Sequence, residues 1–476
     1  MGLFSGISIR AMLGFACQQG FLYALFYLGD NRSVELAGMP VERFDLLLTF
    51  AFMAVSFAVV RLASARVRDA LLAPTLVGWY AVLLVIGSLL VALPLDAGAF
   101  EVAAEGALVG LPSGFLMCAW GRTLVACSRF GGAREVLLAT ALGAACGLAM
   151  AMVPVTGAPN ILKLLPIGSA WALRSLAAPQ PPRIADAAEG REAERLSVRV
   201  VAGTALFGLA GGFMEVFSSE PGMAATPTFP ATLLILVLFC IAAVQLFSSM
   251  VPWAPRDEDD AASEREGSLA GVYRLAILLT MAGYLFVPVL GGFGVTGQAI
   301  VLAGHLGLAC VLMMMFLAIA RAAARDAATS FARGLFALYL GEAAGIVIGN
   351  GLELVQPGVA QPLAIAALAG LAALFAYLFL FTERDYVELT SLIGEVDVFD
   401  EACLRIVQEH GLSKREAEVL PLALRGRTAE RIAGELCIAK STADTHLRRI
   451  YGKVGVHSRQ ELIDLGERVQ KELIAR

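Results

Sequence analysis

Apolar residues come in long unbroken runs over the first four-fifths of the chain and in short periodic stripes over the last fifth. An apolar run of about 20 residues crosses the roughly 30 Å hydrocarbon core of a bilayer as a helix. Twelve runs of that kind are predicted, at 7–28, 44–62, 71–93, 101–120, 135–154, 158–176, 198–217, 229–250, 272–290, 297–320, 332–350 and 360–381. The first is long for the core of a cleavable signal and carries Arg10, Gln18 and Gln19, so it is read as a span. A polar stretch at 177–197, containing Pro179-Gln180-Pro181-Pro182, separates six runs from six. The expected fold is all-α. A membrane region, 1–382, has halves 1–176 and 198–382 around a central loop 177–197. A linker, 383–411, and a small four-helix domain, 412–476, follow.

Arginine placement orients the spans. Arg61, Arg66 and Arg68 follow the second run, and Arg122, Arg129 and Arg134 follow the fourth. Arg174, Arg183, Arg191, Arg195 and Arg199 follow the sixth, Arg256, Arg265 and Arg274 the eighth, and Arg321, Arg325 and Arg333 the tenth. The alternate connections are nearly bare, with Arg32 and Arg43 between the first two runs and Lys163 just inside the sixth. Basic residues mark cytoplasmic loops. The expectation is a multi-pass protein of the inner (cytoplasmic) membrane with both termini in the cytoplasm.

Composition sharpens this division. The 476 residues are 58% hydrophobic and 16% charged, and the mean hydropathy is +0.74. Charged residues number 45 among the first 382 and 32 among the last 94. That excludes a disordered chain, and it makes the overall net charge of −5 uninformative about the tail. The eight cysteines form no C-x-x-C pair and lie near no histidine at metal spacing, so neither a metal, a disulfide nor a cofactor is expected.

Six plus six runs around a middle loop resemble the major facilitator superfamily, which implies two six-helix bundles around a central cavity. The loop after the second run reads RLASARVRDALLAP, a poor match to the Gly/Asp/Arg-rich signature usual there. Gly341, Gly345 and Gly349 share one helix stripe, as do Gly143 with Gly147 and Gly208 with Gly212. Small residues four apart let helix backbones approach. Packing within the bundle is expected, with a dimer face on the eleventh run as the alternative. Ionisable groups within apolar runs usually face a wet cavity or the protein interior. Glu105, Glu215, His305 and Glu342, joined by Gln18 and its neighbour Gln19, are therefore candidates for a small-molecule pocket between the halves. The competing reading makes them interhelical bonds and interface residues, most of all for Glu215 near a run's outer end.

The tail changes character. Residues 383–411 form a linker ending in a short helix with Leu404, Ile406 and Val407 as its stripe. Ser413 and Glu416 make an S-x-x-E capping box opening a helix with Val419, Leu420 and Leu424 inward and Gly426 as its stop. A second short helix starts near Thr428. A turn at 437–440 leads to a third helix, about 440–454, with Leu447, Ile450 and Val454 buried; Gly455 ends it and a fourth follows over 458–466. Two short helices joined by a tight turn form a helix-turn-helix.

The segment LSKREAEVLPLALRGRTAERIAGELCIAKSTADTHLRRIYGKVGVHSRQELIDL resembles the LuxR-type DNA-binding domain of bacterial regulators. The shared pieces are L-S-x-R-E-x-E-V-L, Gly426, Ile432-Ala433, Leu436, Ile438, T-x-x-T-H-L, Ile450, K-V-G-V and R-x-E-L-I. Residues 411–476 hold 13 Lys+Arg and nine Asp+Glu, so this part is about +4, the sign that phosphate binding needs. The outward positions of the recognition helix are Lys440, Ser441, Asp444, Thr445, Arg448 and Arg449. The resemblance implies that Asp444, Thr445 and Arg448 face bases, with Arg448 reading guanine through O6 and N7. Lys440, Arg449 and Lys453 suit phosphate. Three features depart from the family: Asp444 where Lys is frequent, Ala439 where Ser often caps the recognition helix, and Pro421 inside the first helix, where a kink is expected.

A LuxR-type domain behind a many-span region implies a membrane-embedded one-component regulator and no enzyme. Its expected partners are DNA with a two-fold operator, a second copy of the chain on that DNA, the lipid bilayer and an unidentified small-molecule effector, with RNA polymerase a further candidate. The alternatives are a facilitator-like transporter with a regulatory tail and a membrane-anchored regulator without a ligand.

Overall fold

The computed structural model describes residues 8–28, 34–36, 39–91, 98–127, 133–153, 158–176, 187–218, 228–249, 271–283, 297–322, 326–355, 398–399, 401–436 and 438–474. The apolar runs fold as helices: α1 (Ile9–Tyr27), α2 (Phe44–Leu62), α3 (Ala65–Leu71), α4 (Pro74–Val91), α5 (Ala99–Cys127) and α6 (Ala133–Ala151). A 3-10 turn (Ala158–Leu164) leads into α7 (Leu165–Leu176). Then come α8 (Ala187–Ser218), α9 (Phe229–Ser249), α10 (Gly271–Gly283), α11 (Gly297–Ala322) and α12 (Ala327–Val355). A two-stranded antiparallel hairpin, β1 (Val34–Leu36) and β2 (Met39–Val41), sits between α1 and α2.

Among the described residues seven helices are long and apolar enough to cross a membrane, or eight if α3 and α4, which meet at a 50° bend, form one span. The predicted twelfth run, 360–381, and the second half of the ninth lie outside the described residues. Two expectations are corrected. The sixth run does not form one straight helix: its first seven residues wind as a 3-10 turn ahead of Pro166 and the glycine at 168. The central loop is partly helical, because α8 begins at Ala187 inside a stretch (Ala-Ala-Glu-Gly-Arg-Glu-Ala-Glu) rich in helix formers.

Packing within the body follows the small residues. Cβ atoms built on Gly208 and Gly212 of α8 would strike the α12 backbone at Leu338 and Glu342, and those on Gly341 and Gly345 would strike α8 at Ala205 and Leu209. The glycine stripe of the eleventh run is thus spent inside the bundle rather than on a second copy, and the two backbones touch. Gly143 of α6 faces Gly20 of α1 in the same way. The sequence halves meet along α2 with α12 and along α6 with α9. An ion-pair cluster spans them at one end. Arg122 reaches Asp69 at 2.9 Å and Asp326 at 3.2 Å, and Arg68 also pairs with Asp326.

The tail has its own core, built on Val419, Leu420, Ile432, Ala443, Ile450 and Leu462. Its helices are α13 (residues 401–409), α14 (Lys414–Leu424), α15 (Ala429–Glu435), α16 (Lys440–Val454) and α17 (Arg459–Ile474). The last helix extends eight residues past the expected end, because Val469 returns to the core one turn later. The linker helix differs from expectation as well. Ala402, Cys403 and Ile406 are its buried stripe, whereas Leu404 is 45% exposed. Arg405 pairs with Glu472 at 3.2 Å, and the Arg425 guanidinium sits 4.6 Å over the Phe399 ring. This helix therefore packs with the domain that follows it.

Candidate functional site

The recognition helix is placed by three local devices. Ser413 caps α14: its Oγ accepts from the Glu416 N–H, and the Ser413 N–H donates to Glu416 Oε2 at 2.7 Å. The Thr428 hydroxyl caps α15 by accepting from the Arg431 N–H at 3.3 Å. After the turn, the Ile438 N–H returns to the Ala433 carbonyl at 3.0 Å, and α16 starts at Lys440 with no side-chain cap, as Ala439 dictates. Gly455 closes it at φ +77°, a left-handed conformation suited to glycine. α14 runs through Pro421 to Leu424 as one helix.

Ala443, Ile450 and Val454 turn α16 inward. Lys440, Ser441, Thr445, Arg448 and Arg449 are exposed on its other face, and Asp444 is half-buried. The cations divide into two kinds. Arg448 and Arg449 make no ion pair among the described residues. Lys440 lies 3.5 Å from Glu430, and Lys453 is engaged more firmly, donating to Glu416 Oε2 at 2.7 Å and to the Gly411 carbonyl at 3.1 Å. The Lys453 ammonium and the Ser413 N–H hold the Glu416 carboxyl well down, to about 2. Lys453 thus ties the end of the recognition helix to the start of α14.

In the body, His305 Nε2 and Glu342 Oε1 are 3.1 Å apart, and the imidazole stacks on Phe207 at 4.5 Å. Glu215 and Glu342 lie on the packed pair α8 and α12, where Gly212, one turn before Glu215, meets the Glu342 backbone. Arg43, in the connection between α1 and α2, is a partner of Glu215. Its Nη2 donates to the Phe26 carbonyl at 2.9 Å and lies 3.5 Å from Glu215 Oε2. Tyr27 stacks on Phe229 at 4.7 Å. Beside them Asn350 clamps residue 42 by its backbone: the Glu42 N–H donates to Asn350 Oδ1 at 2.7 Å, and Asn350 Nδ2 donates back to the Glu42 carbonyl at 3.1 Å.

Three of the candidate pocket residues therefore share one cluster. Gln18 does not join it; its Oε1 accepts from the Ser169 hydroxyl, which in turn accepts from the Trp120 indole at 2.8 Å. Gln19 reaches Met313 Sδ at 3.9 Å. Glu105 is half-buried on α5, next to Gly106, which packs on Leu48 and Thr49 of α2.

A capped helix pair with a basic outer face on the second helix defines a helix-turn-helix DNA-binding domain. Residues 410–465 match the family described as bacterial regulatory proteins, luxR family, and the tail of this chain is a LuxR-type domain. The HTH-type transcriptional regulator MalT of Serratia proteamaculans (strain 568) is 38% identical over 66 residues. The chain spans only a small part of that relative: the match takes in 14% of this chain and 7% of MalT. Over 81% of this chain there is a 12% identical likeness, TM-score 0.47, to the whole of a solved chain described as a bacterial homologue of the iron transporter ferroportin, in an outward-facing state with soaked iron.

Proposed function

We propose that the chain is a membrane-embedded one-component transcription regulator without enzymatic activity. The observation that carries this reading is a LuxR-type recognition helix whose Arg448 and Arg449 stand exposed and unpaired, on a polypeptide with at least seven membrane-competent helices. Arg448, Asp444 and Thr445 read base edges; Arg449, Lys440 and Ser441 contact phosphate and fix register. Lys453 supports them by holding the helix in place. Two copies bind a two-fold operator through tails on the cytoplasmic face, where the arginine-rich loops put both termini and where RNA polymerase is in reach.

The membrane body is the input. A small molecule held at the cluster of Glu342, His305 and Glu215 binds one arrangement of the halves better than another and so shifts their balance.

The test uses the full chain, with affinities compared at one salt concentration and the salt slope read from a titration. Arg448→Ala weakens binding at the specific site by about 1–3 kcal/mol, whereas Arg449→Ala weakens binding on all sequences and lowers the salt slope by about one. Unchanged operator affinity in Arg448→Ala would sink the reader role. Full inducer response in Glu342→Gln with His305→Ala would sink the sensing role. Solute accumulation in proteoliposomes would make the body a transporter instead.

A further inference from the structure

Arg43 has two buried unmatched donor atoms, more than any other cation among the described residues of the body, and the reason lies in its geometry. It precedes α2 with φ +54°, the left-handed region that non-glycine residues seldom occupy. Its guanidinium is fully buried, at 0% exposure. Nη2 serves the Phe26 carbonyl and Glu215, while Nε and Nη1 have no partner among the described residues. Buried donors are nearly always matched, so unmatched N–H groups on a sealed guanidinium point to a group that is held only part of the time. The planar guanidinium offers a carboxylate two parallel bonds through Nη2 together with Nε or with Nη1, so such a pair of bonds takes Nη2 from Glu215.

Charge narrows the class. Arg43 now covers Glu215, and Glu342 leans on His305. A bare anion on Arg43 would strip Glu215 of its counter-charge among the described residues in a low-dielectric interior. A molecule that also carries an ammonium would cover it. We propose that Arg43 anchors the carboxylate, and Glu215 the ammonium, of a small amino-carboxylate effector, which replaces the ion pair between α2 and α8 with two bonds to itself. This inference rests on the sensing reading above. Because the guanidinium is sealed, binding requires the end of α2 to part from α8; the effector therefore favours the parted arrangement, which is the differential a signal requires.

The test follows thermal unfolding of the full chain in detergent micelles. The probes are the twenty proteinogenic amino acids, each with its decarboxylated amine and its deaminated acid. At least one amino acid should raise the midpoint saturably while its amine and acid do not. Arg43→Gln should weaken that binding about 100-fold, the scale of a lost buried charge pair. Since Arg43→Gln can fail to fold, Glu215→Gln provides a second arm: it should weaken the amino acid and strengthen its deaminated acid, which no longer leaves a carboxylate uncovered. Equal stabilisation by the amine, full binding in Arg43→Gln, no gain for the acid in Glu215→Gln, or silence across the panel each overturns the proposal. An amine that binds and induces would leave sensing intact while removing the carboxylate anchor. Arg43-dependent binding with no promoter response would do the reverse.

Discussion

At the scale of single residues, the tail's Glu416 does two jobs. It closes the capping box with Ser413 and receives the Lys453 ammonium. Its carboxyl is held down to about 2, well below the usual carboxylate range, first by Lys453 and then by the Ser413 N–H. A depressed carboxyl stabilises the fold above its unfolded value and loses that contribution as pH falls through the folded one. Tail stability should therefore decline between about pH 5 and pH 2, and Glu416→Gln should flatten that decline in a pH series of denaturant melts. Glu416→Ala should cost about 1–2 kcal/mol at pH 7, since it removes a cap and a charged bond. The capping box was legible in S-x-x-E, because both partners lie within one turn. Lys453 as the partner was not, because it is 37 positions away and its spacing suggested a phosphate contact. Arg43 left a fainter trace, as an arginine in a connection that the topology expected to be nearly bare.

At the scale of elements, helix limits were most legible where the polar-to-apolar switch coincides with a cap or glycine. The recognition helix ends at Gly455 as expected and α2 spans 44–62 as expected. They failed where tertiary packing decides. Leu404 was placed inward by hydrophobicity alone, yet the small Ala402 and Cys403 fit the tail core better. Ala439 gives α16 no side-chain acceptor, so Ala439→Ser should stabilise the tail by about 1 kcal/mol in a urea melt. For the body, Gly345 has the α8 backbone against it at Leu209 and Phe213, whereas Gly351 faces open space. Gly345→Val should abolish the monodisperse folded peak on size exclusion in detergent, and Gly351→Ala should leave it unchanged. The glycine stripe itself was readable; which helix it served was not, since a period of four names a face and not a partner.

At the scale of the whole molecule, Asp326 joins Arg68 and Arg122 from the other half of the sequence, while Arg43 and Glu42 meet Glu215 and Asn350 near the opposite ends of α2 and α12. Residues 326 and 350 stand about 36 Å apart along a helix rising 1.5 Å per residue. The halves are thus tied at both ends. Asp326→Asn removes the charge from two partly exposed pairs, together worth about 1 kcal/mol, so basal promoter output should move about two- to fivefold without inducer. An unchanged output would show that this end does not report to the tail. The arginines of this cluster were visible in the sequence as topology marks. Their acidic partner was not, because nothing in local pattern links position 68 or 122 to 326.

The meeting of α8 and α12 backbone to backbone has a mechanical consequence. Where Gly208, Gly212, Gly341 and Gly345 meet the facing backbone there are no side chains to shear or re-rotamer, so these two helices move together like a single plate. Glu215 rides on one helix of that plate and Glu342 on the other. A pull on either acid turns both helices together, and the pivot must fall outside them, along the line where α12 meets α2. Spin labels on α8 and α12 should then keep one distance in every state, while a pair across α2 and α12 changes.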